Sequence, residues 1–150
     1  MASDEQELEI LAKLADIAAL AGIKGSIDKD VKIFTAGFNL AEGRSQLVFA
    51  RALPEAVDGK DAVYIYSACR RVKTGFMQGL KKNEAFELLK LNTQVLIARY
   101  GIDEIPGGYM IEASADCILD TLDPEELEAY FSFVAIAADT YEKKFGGDEF

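Results

Sequence analysis

Apolar side chains first recur at helical spacing. Ile10, Leu14, Ile17 and Ala21 fall at intervals of four and three, with Leu11 and Ala18 beside them, which predicts an amphipathic helix over about 4–21. Ser3 with Gln6 three residues on has capping-box spacing, Asp4, Glu5, Glu7 and Glu9 complement the positive end of the helix dipole, and Gly22 supplies a stop. The period then shortens to two. Val31–Phe38 is rich in β-branched and aromatic residues, and after the short loop Asn39–Gly43 the run Arg44–Leu53 sets Gln46, Val48 and Ala50 against Ser45, Leu47 and Phe49. Pro54 is expected to end that strand because it cannot donate to a ladder, and Asp58-Gly59 marks a turn. Ala62–Cys69 follows, with Tyr64 and Tyr66 on one face and Val63 and Ile65 on the other. Short connections of this kind predict an antiparallel meander.

The second half is less regular. Residues 70–82 carry Arg70, Arg71, Lys73, Lys81 and Lys82 without an acid, are interrupted by Gly75 and Gly79, and read as a long basic loop. Asn83 is expected to cap a second helix ending near Leu91, with Phe86 and Leu89 turned inward. Gln94–Ile102 reads as a fourth strand. Because Val95-Leu96-Ile97-Ala98 does not alternate, the alternative is a helix running through it. Pro106-Gly107-Gly108 has type II turn chemistry, and Tyr109–Leu119 is expected to pair back on the fourth strand. Asp123 and Glu126 form a second capping box around Pro124, opening a last helix to about Phe145. Its stripe runs through Leu127, Tyr130, Val134, Ala137, Ala138, Tyr141 and Phe145. Phe131, Phe133 and Ile136 widen it beyond one ordinary face, and are expected to lie partly exposed on a monomer and to be covered by a partner.

The expected class is therefore α+β, in the order α-β-β-β-α-β-β-α, with a twisted, mostly antiparallel five-stranded sheet and three helices. An α/β sandwich of the roadblock or profilin kind is the alternative. A chain of 150 residues that is 50% hydrophobic fits one domain with a real core. The net charge of −10 repels nucleic-acid phosphates and anionic membranes, and suits protein partners.

Histidine is absent, which removes Ser-His and Cys-His pairs, a His base and His metal ligands. Cys69 and Cys117 sit in apolar runs and read as small buried hydrophobes; a disulfide would require their strands to lie side by side. The acidic start lacks the basic-then-apolar pattern of a secretory signal, and no apolar run approaches a membrane span, so a cytoplasmic protein with reduced thiols is expected. No dinucleotide, P-loop or EF-hand motif occurs, and no cofactor or metal is expected. The final Gly146-Gly147-Asp148-Glu149-Phe150 spells the GGDEF signature of diguanylate cyclases. The rest of such a domain is missing, and Gly146 is where a helix-stopping glycine belongs, so the string is read as coincidence.

Three stretches carry a likeness to a known family. Phe86-Glu-Leu-Leu-Lys-Leu-Asn92 is similar to an "LL-x-x-N" helix end, Leu119–Leu127 to a strand-to-helix link, and Phe133–Asp139 to a final helix. With the element order, these residues resemble the class I type III secretion chaperones (the Tir-chaperone family) and the related YbjN-like proteins. The resemblance implies a homodimer that binds partner proteins as extended segments over apolar patches, without ATP or metal. The basic 70–82 loop is longer than that family suggests, favouring a stand-alone relative. Phe131, Phe133 and Ile136 are the candidate partner-binding residues, the interface being expected on the final helix, the fifth strand or the second helix. Arg70, Arg71 and Lys73 are candidates for an acidic partner. They also carry the alternative function, a small-molecule or anion-sensing regulatory domain.

Overall fold

The computed structural model describes residues 3–73 and 81–146. The expected α+β class is observed, but the described residues form three α-helices and a sheet of six strands rather than five. In chain order the elements are α1 (Asp4–Leu20), β1 (Gly25–Asp28), β2 (Ile33–Asn39), β3 (Ser45–Val57), β4 (Lys60–Lys73), α2 (Lys82–Leu91), β5 (Arg99–Ile105), β6 (Gly108–Ile118) and α3 (Pro124–Phe145). Every pairing is antiparallel, and the spatial order is β1-β2-β3-β4-β6-β5.

The unforeseen strand is β1. Its sequence, Gly-Ser-Ile-Asp, has almost no apolar alternation, and tertiary pairing makes it a strand: Gly25 lies opposite Ala36 and Asp28 opposite Ile33. A Cβ on Gly25 would run into the Phe34 ring, so only glycine lets this edge approach β2. The Asp28 carboxylate accepts the N–H groups of Asp30 and Val31 at 2.9 and 3.2 Å, closing the connecting turn.

Pro54 does not end β3. The ladder shifts between Leu53 and Val57, and Glu55 there adopts φ 51°, so the proline sits in a bulge where no ladder donor is required. Asp58 and Gly59, both at positive φ, then make the two-residue turn to β4.

The strand expected over Gln94–Ile102 forms only from Arg99. Residues 92–97 are turns and bends with Ile97 at φ 65°, and the alternative helix through this stretch stops at Leu91. Nor does Asn83 cap α2, since Lys81 holds that position without a side-chain bond. The capping box at Asp123, Pro124 and Glu126 forms as its spacing predicts, and Gly146 closes α3 at φ 79°.

The helices share one face of the sheet. α3 packs along β3, β4 and β6, α1 beside it over β1–β3, and α2 against β5. Beneath them the inward positions of the alternating strands form the core: Phe34 and Ala36, Val48 and Ala50, Val63 and Ile65, and Ala113 and Ala115. The one polar inward position on β3, Gln46, donates to the buried Glu142 carboxylate at 2.7 Å. Arg44 reaches the same carboxylate at 2.9 Å and also bonds Asp139. Burial opposes ionisation of Asp139, but the bonds from Arg44 and Lys143 outweigh it and hold its pKa below the usual value.

Both cysteines are free and buried, and burial pushes both thiols up, Cys117 to about 12. Their strands do lie side by side. However, Cys117 is opposite Val63, six positions from Cys69, or roughly 20 Å along a strand, which rules out a disulfide.

Candidate functional site

The opposite face of the sheet carries no helix among the described residues. The alternate positions of β3 and β4 should be polar if that face simply met water, yet they hold Phe49, Tyr64 and Tyr66. Phe49 lies opposite Tyr66, and Arg51 opposite Tyr64. The rings form one continuous stack, with centroids 5.4 Å apart for Phe49–Tyr66 and 5.5 Å for Tyr66–Tyr64. The Arg51 guanidinium covers the end of the stack, 4.8 Å from the centre of the Tyr64 ring.

This aromatic shelf floors an open hollow of about 540 Å³ that reaches from Ile33 and Thr35 on β2 to Asp103 and Ile105 on β5. Glu112 of β6 lines it and is only 6% exposed. Its carboxylate accepts the Tyr64 hydroxyl. Burial, and then the contact with Glu112, push Tyr64 up to about 12, and burial likewise raises Glu112 above the ordinary carboxylate range. Asp28 and Asp103 are the other carboxylates of the lining, and Arg51 is its one cation among the described residues.

A second apolar surface flanks β5. Leu88 and Leu91, not Phe86 and Leu89, form the inward face of α2. Phe86 and Leu89 are 63% and 68% exposed, Leu89 lining a shallow pocket with Leu88, Tyr100 and Ile102. Leu96 and Ile102 are also exposed here. Asn92, which ends the "LL-x-x-N" stretch, brackets the edge strand: its side chain donates to the Tyr100 carbonyl at 3.2 Å and accepts the Tyr100 N–H at 2.6 Å.

The residues nominated from sequence scatter. Phe131 is fully buried between Phe34 and Phe38, at centroid distances of 6.0 and 5.9 Å, so it belongs to the core rather than to a partner surface. Phe133 is half-buried, and Ile136 is 48% exposed. These two line a groove with Leu91, Val95 and Leu96 and extend the flank. Arg70, Arg71 and Lys73 lie in β4 rather than in a loop; residues 74–80 of the expected basic loop, like 147–150 of the terminal string, fall outside the described residues. Arg70 is engaged by Glu84 of α2 at 3.3 Å, while Arg71 and Lys73 are exposed, so the three do not converge on one anion. The aromatic shelf was missed as a site. Its signal was present in the alternation of β3 and β4, where both faces carry apolar side chains.

Among the described residues no group of acids and cysteines has metal-binding geometry, and no helix is long and apolar enough to cross a membrane. Compared with known proteins, the chain matches no family model and no curated protein.

Proposed function

We propose that this protein is a chaperone-like or adaptor module that holds an extended segment of another protein and works as a homodimer. The observation that carries the reading is the aromatic stack on the helix-free face, a broad apolar hollow open to solvent along its length. An extended chain fits such a surface because its alternate side chains reach the rings while its backbone stays hydrated. The hollow involves neither histidine nor a convergent catalytic pair, and a binding role asks for none.

The second copy is assigned to the β5 flank. Leu89 and Ile102 line one pocket there and Leu96 and Ile136 another, with Phe86 exposed on the same helix as Leu89, and a two-fold contact covers the same patch twice. The resemblance to the secretion chaperones supports both halves of this reading. A secretion role and a cytoplasmic setting are carried by that resemblance and by composition alone.

Two measurements test it. Light scattering at micromolar concentration is expected to give about twice the 16.4 kDa chain mass, returning to one chain in Phe86→Ser/Leu89→Ser. Fluorescence anisotropy with a labelled, reduced and carboxymethylated protein that cannot refold is expected to show binding that Phe49→Ser/Tyr66→Ser abolishes. Binding unchanged in that variant removes the shelf from the function. The anion-sensing alternative predicts instead a thermal shift with inorganic phosphate that vanishes in Arg70→Ala.

A further inference from the structure

The lining of the hollow is unbalanced. Asp28, Asp103 and Glu112 line it with one cation among the described residues, Arg51, and that guanidinium is already laid on the Tyr64 ring; Arg99, whose charge also reaches Glu112, is paired with Asp116 at 2.6 Å. Tyr66 follows in the stack and Phe49 closes its other end, and neither ring carries a cation among the described residues; burial and then Glu112 raise the Tyr66 pKa, Arg51 lowers it, and Asp103 raises it further. Ring faces attract cations, and a planar guanidinium both stacks on a ring and donates to carboxylates. The chain thus shows, with its own Arg51, the interaction that the rest of the shelf is equipped to repeat.

We propose that the hollow seats the guanidinium of an arginine-bearing extended segment, laid against the open side of the aromatic shelf and facing the Asp103 and Glu112 carboxylates of the same lining. The inference rests on the protein-binding reading and narrows it to a segment that alternates apolar with basic side chains. Apolar residues of such a segment meet Ile33, Ile105 and Met110, while its charge complements both the hollow and the net charge of −10.

The test uses the whole chain and two acetylated, amidated heptapeptides. One alternates valine with arginine, and the other replaces each arginine by citrulline, which keeps the shape and removes the charge. Isotope-edited NMR is expected to show the arginine peptide shifting the ring signals of Phe49 and Tyr66, with an affinity at least about tenfold above that of the citrulline peptide at low salt. Asp103→Asn, at an exposed position, is expected to reduce that preference with the fold intact. Equal binding of the two peptides at the shelf overturns the cation inference and leaves the protein-binding function standing. Ring signals unmoved by either peptide at millimolar concentration overturn both. Shifts confined to Phe86, Leu89 and Ile102 overturn the assignment of the hollow.

Discussion

Phe131 and Ile136 stand on the same helix, and the sequence pattern groups them as one surplus apolar patch; the structure gives them opposite energetics. The Phe131 ring is fully buried, with Phe34 nearly perpendicular to it and Phe38 on another side. Removing it in Phe131→Ala forfeits the transfer energy of the ring and leaves a hole lined by two aromatic neighbours, a loss of about 3–5 kcal/mol. Against a total stability of about 5–15 kcal/mol this is a large fraction, and for a chain of this size it lowers the melting temperature by roughly 6–20 °C. Ile136 is already 48% exposed, so Ile136→Ala is expected to cost the fold about 1 kcal/mol or less, partly offset by the better helix propensity of alanine. Urea unfolding followed by circular dichroism measures both, with light scattering on the same samples to separate association from folding. Equal losses in the two variants, or a loss below about 1 kcal/mol in Phe131→Ala, would refute the assignment of Phe131 to the core.

Glu112→Gln is expected to be more stable than the parent at pH 7, with the gap closing as the pH falls toward 4. Burial raises the folded-state pKa above the ordinary 4.5, further helped by Asp103 and opposed by the Tyr64 bond, Arg51 and Arg99, so the parent loses stability as the pH climbs through that raised value. Urea titrations at the two pH values check this, and a parent that outgains the variant on raising the pH contradicts it. Arg44→Met takes the guanidinium from two nearly buried carboxylates, Asp139 and Glu142, and is expected to cost about 3 kcal/mol in the same assay, where a loss under about 0.5 kcal/mol would show the network to be dispensable.

Strong local patterns were legible in advance. The helical stripes of α1 and α3, the capping box at Asp123 and the alternation of β3 and β4 all lie where periodicity placed them, because in each the burial of one face dictates the pattern. The failures have a common cause, a tertiary partner that overrides local signal. β1 has scarcely any pattern of its own and exists by pairing with β2, while Pro54 is tolerated inside β3 because a bulge removes the need for its donor. Of the apolar excess on α3, sequence could count side chains but could not see that Phe34 and Phe38 enclose Phe131. The shelf left a signal in the double-sided apolar alternation of β3 and β4, but its residues are typical strand formers, and it stands out as a site only because no helix covers that face among the described residues.

The side chain of Asn92 also bears on aggregation. An edge strand is a template for fibril growth when its whole outer row of donors and acceptors is free. In β5 the row starts at Tyr100, and Asn92 already occupies both of its backbone groups as a false neighbouring strand of one residue. By the alternation of an antiparallel ladder, Ile102 and Glu104 are the next outward positions, so an incoming chain finds a template only a few residues long. Such a length suffices to set the register of a specific partner but offers a growing stack only a short template, so one amide narrows the edge that a fibril would need.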